Sequence, residues 1–409
     1  MAAVIAQHAA YLADHLERDL DNNHLIAEAK ALAWVGLLLP SLPQAQRWRS
    51  LGVSLIWKAL AAQVRGDGSH IENATSYQVA VWLDGLETAV LCQAHGEEVP
   101  ATVWETLARM GDYALWLRRP DARLPMLNDG IQDHPLPLRM VFSLAATALD
   151  RADFAWAAGK ASVAPQGLSS QVLSGSGLVV LRSGANPSDT YLVFDAGDMA
   201  AAHCLGHGHA DTLSIELWGR GEALILDPGT YQQTVGPWRD YFRGTAAHST
   251  ATVDGLDQSC FAGPFRVADM ARGRLVSWQL DGSPPQVVGE HDGYARLGDP
   301  VLHRRRLCLQ RSDFLEIEDA FSGQEKHRVV CRWHLAPCQA ELQGATGARA
   351  VYPGGTQLRV SVDSSAPGSL SIEEGWISRS WYRKQPSPVL AYSLQTRLPV
   401  TVTTFLTIV

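Results

Sequence analysis

The sequence predicts an α+β protein of two domains, with helices over residues 1–160 and an antiparallel β-sandwich over residues 161–409. Three observations predict this division. Apolar residues recur at helical spacing in the first part, and short alternating segments with turn signals fill the second. A stretch rich in Ser, Gly and Pro (161–177) separates them. A chain of 409 residues is long enough to form two hydrophobic cores.

Two apolar repeats predict the main helices. Residues 25–39 and 103–117 carry apolar side chains three or four positions apart, which is the spacing of one helix face. Pro40 and Pro120 follow these segments and should end the helices. Antiparallel helical hairpins of this kind are typical of a bundle, a solenoid or an α/α toroid. No sequence repeat of fixed period decides among the three.

Alternation of apolar and polar residues predicts the β domain. Residues 212–217 and 314–318 alternate in this way, so each segment should be a strand with one buried face. Turn signals at 227–229 and 254–255 separate such segments. Many short strands with this spacing indicate an antiparallel sandwich or stacked sheets.

Composition excludes several classes of protein. The formal net charge of −8, with no basic run, argues against a nucleic-acid partner. The longest apolar run, residues 31–40, is too short to span a membrane. The six cysteines include no CxxC pair, so we expect at most one or two disulfides. The N-terminus begins as a helix and lacks a signal-peptide pattern, which favours either a cytoplasmic protein or the loss of a leader.

The segment 207–249 carries the strongest chemical signal. His207 and His209 are two positions apart and would face the same side of an extended chain. Asp227 ends an apolar run, and His248 closes the segment. Two histidines and one aspartate match the ligands that Zn²⁺ prefers, with a fourth position for water or another side chain. Hydrogen-bonded histidines without a metal are the alternative, but the clustering favours a specific metal or catalytic site.

The helical part contains two weaker polar clusters. Residues 21–24 begin one helix, where Asp21 or Asn22 suits the N-cap. Residues 68–77 crowd four further polar side chains into a turn before another helix: His70, Glu72, Asn73 and Tyr77. Helix caps and an ordinary half-buried tyrosine would explain most of them. Residues 128–130 are expected to form only a turn.

Five motifs together resemble the heparinase II/III polysaccharide lyases, and the heparinase III group most. They agree with that family in order and spacing, and they are NNHLIAE (22–28), SHIENATSYQ (69–78), HGHAD (207–211), LDPGTY (226–231) and WRDYFRGTAAHSTATVDGLDQS (238–259). The resemblance implies an incomplete α/α toroid followed by an antiparallel β-sandwich.

The resemblance also implies β-elimination at a uronic acid. A base removes the C5 proton, the 4-O-linked sugar leaves, and an unsaturated uronate remains. Asn23 would neutralise the substrate carboxylate by donating from its amide, as in an oxyanion site. Tyr77 would be the base, the acid for the leaving oxygen, or both. His207 would be its partner, acting as a base or stabilising the uronate.

A metal centre and further substrate contacts follow from the same resemblance. Metal-binding positions of the family are matched by His209, Asp227 and His248, with Zn²⁺ as the expected and mainly structural ion. Arg239 and Arg243 would bind substrate carboxylate or sulfate, or would equally well pair with Asp240 and other acids. Secondary candidates for substrate binding are His24 and Glu72.

Two departures from the family pattern bear on the expected function. Only about twenty residues precede the NNHLIAE motif, so the toroid should be shortened at its N-terminus, which could remove subsites, open the cleft or require a partner subunit, as in a homodimer. An Ala-Ala-His-Ser sequence around His248 replaces the more usual Ala-Ala-His-Asn. By resemblance the protein should be periplasmic or secreted.

The sequence leaves three functions open. The first is a lyase for heparan sulfate, heparosan or a bacterial exopolysaccharide. The second is an alginate or oligoalginate lyase with the same mechanism. The third is a glycan-binding protein with a vestigial site, although such a protein would not need a catalytic base.

Overall fold

The computed structural model describes residues 1–132, 137–165, 168–281 and 284–409 of the chain. Helices come first and antiparallel strands follow, in the order that the sequence predicts. The helices of the described residues are Ala2–Asp14 (α1), Asn23–Leu38 (α2), Ala45–Gln63 (α3), Thr75–Ala94 (α4), Ala101–Leu117 (α5), Leu138–Leu149 (α6), Ala152–Ala157 (α7) and Pro237–Arg243 (α8).

The strands form four antiparallel sheets. Their bounds are Gln171–Leu173 (β1), Leu178–Arg182 (β2), Tyr191–Asp195 (β3), Ile215–Gly219 (β4), Glu222–Ile225 (β5), Ala251–Val253 (β6), Cys260–Gly263 (β7), Arg266–Asp269 (β8), Gly273–Gln279 (β9), Gln286–Tyr294 (β10), Val301–Arg311 (β11), Phe314–Ser322 (β12), Lys326–His334 (β13), Gln339–Leu342 (β14), Gly347–Val351 (β15), Gln357–Ser364 (β16), Gly368–Ser380 (β17), Arg383–Arg397 (β18) and Val400–Ile408 (β19). The strand orders are β1-β2-β3-β4-β5, β14-β15-β16-β19-β12-β11-β10-β9, β17-β18-β13-β6 and β7-β8.

Two compact units make up the chain, and neither is one continuous segment. The first comprises Met1–Leu115, Pro135–Pro165 and Ala201–Cys204. The second comprises Trp116–His134, Gln166–Ala200 and Leu205–Val409. The sequence-based domain boundary at residue 160 is a single cut, whereas this division is interleaved. In the structure, the predicted loop 161–177 contains β1, and Gln166 and Gly167 lie outside the described residues.

The first unit is built from the helices that the apolar repeats predict. In α2, the buried face includes Leu25, Ala29 and Leu32. Asn22 caps this helix by accepting a hydrogen bond from the backbone N–H of His24, so the expected cap is confirmed. Helix α4 begins differently, because its N-cap position is Ala74, which has no side-chain acceptor.

The second unit has a core made largely of apolar side chains from the strands. Strand β12 alternates between buried and partly exposed residues, as predicted. Strand β4 does not, because every one of its residues is buried. The reason is Glu216, whose carboxylate faces Arg119 at 3.2 Å and accepts hydrogen bonds from the backbone N–H groups of Met126 and Asp227. Because Glu216 has buried hydrogen-bonding partners, the polar face of β4 can be buried as well as its apolar face.

Two further features agree with the composition. All six cysteines lie within the described residues and carry free thiols, so none of the expected disulfides forms. Among the described helices, none combines the length and the apolar character needed to cross a membrane.

Candidate active site and metal centre

Asp129 connects the two histidines of the HGH motif. Its Oδ2 lies 2.9 Å from His207 Nδ1, and its Oδ1 lies 3.0 Å from His209 Nε2. Its carboxylate also accepts hydrogen bonds from both terminal nitrogens of Arg239 and from Gln233. The carboxylate is completely buried. The segment predicted to be only a turn therefore supplies the central acceptor of the site.

The two histidines face this carboxylate with opposite ring nitrogens. A carboxylate can only accept, so it favours the proton on His207 Nδ1 and on His209 Nε2. His207 is then left with Nε2 as its basic nitrogen, and His209 with Nδ1. In His209, that Nδ1 is buried and has no hydrogen-bond partner among the described residues. Asp129 thus sets which nitrogen of each imidazole carries the proton and which keeps its lone pair.

Burial and local charge set the protonation states. Burial alone would raise the pKa of Asp129, but the hydrogen bonds from His207 and His209 and the charge of Arg239 hold it well below its usual value. Burial also lowers the pKa of His209 to about 4, despite the opposing effect of Asp129. Asp129 is therefore an anion and His209 is neutral near pH 7, which is the form that a metal ligand needs.

The three residues that the family resemblance assigns to a metal are His209, Asp227 and His248, and in the structure they form a possible metal-binding triad. All three are buried, and each offers a ligand atom within 4.8 Å of the other two. His248 Nδ1 lies 2.8 Å from Asp227 Oδ2, and the His248 and His209 rings have centroids 5.4 Å apart. Three such ligands leave a fourth tetrahedral position for a group from outside the triad.

Two observations show that this triad fits a metal ion. His209 Nδ1 is a buried nitrogen with a lone pair and no hydrogen-bond partner among the described residues, which is costly unless something binds it. In His248, Nε2 lies 3.1 Å from the Phe242 carbonyl and so carries the proton, which turns the Nδ1 lone pair toward the triad. Metal-bound histidines usually donate their other N–H to a carboxylate or a carbonyl, as both rings do here.

Buried acidic groups are concentrated around the triad. Burial raises the pKa of Asp211 to about 7, with His248 acting against this and Asp227 adding to it. Burial, followed by repulsion from Asp211 and Asp227, raises the pKa of Asp195 well above its usual value. Three buried carboxylates near one another are stabilised by a cation.

A tight turn fixes the carboxylate ligand. Asp227 follows β5, and its Oδ1 accepts a hydrogen bond from the backbone N–H of Gly229 at 2.9 Å. Gly229 has φ +69°, and a Cβ at this position would lie 2.5 Å from the Ser378 carbonyl oxygen. Only glycine satisfies both the backbone conformation and the close packing.

Arg239 and Arg243 are one helical turn apart on α8, and both are buried. Arg239 binds Asp129 and the carbonyls of Gly206 and Pro264. Arg243 donates to the carbonyls of Gly208, Gly263 and Pro264. The alternative of pairing with an acid holds for Arg239, although the acid is Asp129, and no hydrogen bond among the described residues joins Asp240 to either guanidinium. Both guanidinium groups hold the loops around the HGH motif, and their substrate-binding role stays a prediction.

Asn23 is held by Glu72 inside the first unit. The amide nitrogen of Asn23 lies 2.9 and 2.7 Å from the two carboxylate oxygens of Glu72, which is fully buried. Cys204 Sγ lies 3.4 Å from the same carboxylate. Glu72 therefore orients the Asn23 amide instead of capping a helix, and its contact with substrate stays a prediction.

The remaining candidates are placed as follows. Tyr77 is the third residue of α4, where its backbone N–H donates to the Ala74 carbonyl, and it is partly exposed. His24 is exposed and pairs with Glu17 through its Nδ1 at 2.7 Å. Asn23, Tyr77 and His24 belong to the first unit, whereas His207 belongs to the second.

No sequence pattern predicts that Asp129 links His207 and His209. It stands in an Asn-Asp-Gly sequence, which is a common turn, and 78 positions before His207. The one sequence feature that could have pointed to Asp129 is an acidic residue in a loop flanked by apolar residues. Its role depends on tertiary contacts that no local pattern reports.

Comparisons with known proteins give the same family as the motifs. The heparinase II/III N-terminus model matches residues 1–156, and the heparinase II/III-like C-terminal model matches residues 165–403. A heparin-sulfate lyase from Bacteroides stercoris is 23% identical over 377 residues, which cover 89% of this chain and 53% of the relative. A second, from Pedobacter heparinus, is 23% identical over 398 residues, covering 94% and 57%.

Solved structures agree on the fold. A crystal structure of heparinase III matches with a TM-score of 0.88 at 19% identity, over 99% of this chain and 64% of that one. This likeness confirms the predicted helical region followed by an antiparallel, sheet-rich region. The chain spans little more than half the length of the two heparin-sulfate lyases. The chain belongs to the heparinase II/III family.

Proposed function

We propose that the protein is a polysaccharide lyase that cleaves a uronate-containing glycan by β-elimination. The observation that carries this proposal is the Asp129–His207 pair, because it leaves His207 Nε2 as a basic nitrogen. Family membership and the heparin-sulfate lyase relatives support the reaction class. An acidic glycan of the heparan sulfate, heparosan or bacterial exopolysaccharide type is the proposed substrate.

In the proposed reaction, Asn23, Tyr77 and His207 take the roles that the family resemblance assigns to them. The Asn23 amide, held by Glu72, donates to the substrate carboxylate and so stabilises the enolate that forms when C5 loses its proton. Tyr77 or His207 Nε2 accepts that proton. The C4–O bond then breaks, the C4–C5 double bond forms, and the leaving oxygen takes a proton from Tyr77. Tyrosine has an ordinary pKa of about 10, which suits it to the acid role.

We further propose that the metal is Zn²⁺ and that its role is mainly structural. Two imidazoles and one carboxylate are its usual ligands, and buried ligands suit a site that braces loops. When bound, the ion would fix the segment between His207 and His248 and neutralise the buried carboxylates. We also propose a periplasmic or secreted location, because a long acidic polymer does not cross a membrane unaided.

The test is absorbance of the unsaturated uronate on incubation with heparosan, heparan sulfate and alginate. We expect activity on at least one hexosamine-containing polymer. Activity on alginate alone would favour the alginate lyase alternative. No product from any polymer, with the fold and metal intact, would leave a glycan-binding protein and reject the lyase.

Replacing the proposed acid separates catalysis from folding. Tyr77→Phe removes one hydroxyl group, and we expect turnover to fall by about 10²-fold or more with an unchanged melting temperature and metal content. Tyr11→Phe is the matched control, since Tyr11 is exposed on α1. Activity that survives in Tyr77→Phe would remove Tyr77 from the mechanism.

A further inference from the structure

A groove lined by side chains of the second unit lies beside His207. Its volume is about 530 Å³, and its walls include Phe265, Trp381, Tyr382, Val235 and Pro264, together with the amide of Gln233. This volume lies within the range of small-molecule sites, roughly 300–1,000 Å³.

Two of the lining residues contact the proposed catalytic histidine. The Gln233 amide nitrogen lies 3.2 Å from His207 Nδ1 and donates to Asp129 Oδ2 at 2.9 Å. The ring of Phe265 meets that of His207 edge-on, with centroids 6.1 Å apart. A molecule in the groove would therefore lie against two side chains that contact His207.

The walls are apolar and exposed to solvent. Tyr382 is 62% exposed, Phe265 is 48% exposed and Val235 is 81% exposed. Among the described residues, those that line the groove carry no charge. Large apolar side chains left in water as a group are a mark of a binding surface, since single exposed residues need no explanation but clusters do.

The turn that carries two of the aromatic rings is strained. Trp381 and Tyr382 connect β17 to β18, where Ser380 pairs with Arg383. Tyr382 has φ +59°, in the left-handed region that glycine and asparagine occupy at such turns. A side chain other than these costs about 1–2 kcal/mol there. Stability of the hairpin therefore does not account for a tyrosine at this position.

We propose that this groove is a subsite for one pyranose ring of the glycan, next to the ring that is cleaved. This inference rests on the proposed lyase function. A pyranose presents a face of C–H groups that packs on Trp381 and Tyr382, and a rim of hydroxyl groups within reach of Gln233. The uncharged walls require any carboxylate or sulfate to point out of the groove, because an unpaired charge is costly to desolvate.

Two variants test the subsite. Tyr382→Asn removes the ring and places a residue that tolerates the left-handed conformation, so we expect an equal or higher melting temperature. Trp381→Ala removes the second ring. In both variants we expect KM for the polymer to rise about 10-fold while kcat stays within about 2-fold, because stacking beside the reacting ring contributes to binding.

The matched control is Trp278→Ala. Trp278 is 52% exposed on the edge strand β9 and does not line the groove, so its loss should leave KM and kcat unchanged. Unchanged KM in both Tyr382→Asn and Trp381→Ala would overturn the subsite. A fall in kcat without a rise in KM in these variants would overturn it as well. So would variants that change the oligomeric state, measured by sedimentation, and leave glycan binding unchanged.

A binding measurement separates this inference from the proposed function. Retardation of each variant in gels that contain heparosan, heparan sulfate or alginate reports binding without turnover. If the unmutated protein binds a polymer but cleaves none, the lyase proposal fails while weaker retardation of Tyr382→Asn still supports the groove. If no polymer retards the unmutated protein, the groove proposal fails too.

Discussion

At the scale of single residues, Asp129 combines tasks that are usually divided among several groups. Its two oxygens fix the protonated nitrogen of His207 and of His209, and they neutralise the buried guanidinium of Arg239. A carboxylate behind a catalytic histidine holds the ring and stabilises its charged form. A carboxylate behind a metal-bound histidine raises metal affinity. Asp129 stands behind both rings.

Replacing Asp129 should therefore affect catalysis and metal binding together. In Asp129→Asn, an amide can donate to a ring nitrogen and so favour the wrong tautomer of His207. We expect kcat/KM to fall about 10²–10⁴-fold and metal affinity to fall about 10–100-fold. Steady-state kinetics and metal titration monitored by mass spectrometry check the two effects.

Stability should fall as well, by about 3–5 kcal/mol, because Arg239 loses its buried anion. Asp240→Asn is the matched control, since Asp240 is exposed on the same helix as Arg239. A variant Asp129→Asn that loses stability but keeps both activity and metal would assign Asp129 a structural role only.

At this scale, the sequence predicts which side chains suit a site, but it does not predict which residues contact one another. Residue types indicated a metal or catalytic site in a short segment, and the family resemblance selected His209, Asp227 and His248 as the triad. Asp129 and Glu72 could not be assigned to their partners, since each acts on a residue far away in the sequence. Burial of Arg239 was equally hidden, because a charged residue on a short helix resembles a surface group.

At the scale of elements, the turn after β5 decides where a metal ligand lies. Gly229→Ala places a Cβ 2.5 Å from the Ser378 carbonyl oxygen at φ +69°, so the turn and Asp227 must move. We expect a stability loss of about 2–4 kcal/mol and a metal affinity lowered about 10-fold. Calorimetry and metal titration provide the two measurements.

Gly255→Ala is a closely matched control for this variant. Gly255 has φ +73°, and a Cβ there meets nothing within 4 Å. It therefore carries the conformational cost of about 1 kcal/mol without the steric clash. Equal effects of the two substitutions would show that the contact with Ser378 is unimportant.

The strand pair β11–β12 holds another buried ion pair. Arg305 binds Asp319 through Nε and Nη2 and donates to the backbone carbonyls of Leu213 and Ser249. Burial would raise the pKa of Asp319, but Arg305 and His303 outweigh it and lower this pKa to about 2. The pair thus ties the sheet to the residue after His248.

The lowered pKa of Asp319 makes a prediction with a definite sign. Its folded pKa lies below the unfolded value of 3.8, so the stabilisation is complete above about pH 4 and is lost as the pH falls toward about 2. We expect Asp319→Asn to cost about 3–5 kcal/mol at pH 7. The difference from the unmutated protein should shrink by about 2 kcal/mol on acidification.

Urea unfolding at several pH values measures this difference. Metal ligands titrate in both proteins, so their contribution largely cancels. Asp313→Asn, at a half-exposed position in the turn between the same strands, should show little change at any pH. A difference between Asp319→Asn and the unmutated protein that is independent of pH would contradict the linkage.

Elements were predictable where local pattern and burial agree. Helix α2 and strand β12 have the one-sided burial that their apolar periods predict. Strand β4 could not be predicted in full, because Arg119, which covers its polar face at Glu216, comes from a distant loop. Sequence periodicity predicts which residues share one face of a helix or strand. Only the tertiary structure shows which residues pack against that face.

At the scale of the whole molecule, the proposed metal should stabilise one unit selectively. All three candidate ligands lie in the second unit, so removing the ion should leave His209 and the buried carboxylates without a counter-charge there. We expect chelation to increase hydrogen exchange in peptides from residues 207–249 and from β11–β12.

Peptides from α2 to α5 of the same sample are the internal control, and their exchange should not change. Mass spectrometry of deuterated peptides resolves both sets at once. Restoring Zn²⁺ should restore protection. Increased exchange in the helical peptides alone, or no change anywhere after verified metal removal, would be evidence against a stabilising metal in the triad.

The order of structural classes along the chain was predictable from the sequence, and the heparinase II/III family followed from its motifs. The interleaving of the two units was not. Nothing in residues 116–134 marks them as belonging with the strands, because their contacts are with backbone groups and buried charges such as Glu216. Composition separates helix from strand, but it does not report which loop completes which core.

Interleaving has a consequence for recombination between relatives. A chimera joined near residue 160 would inherit Asp129 from one parent and His207, His209 and Arg239 from the other. A fragment that begins at residue 161 would lack Asp129 and would leave the buried guanidinium of Arg239 without its anion. Exchanges that carry residues 116–134 along with the strands would keep these partners together. Natural shuffling among such proteins should therefore avoid crossovers between Asp129 and the HGH motif.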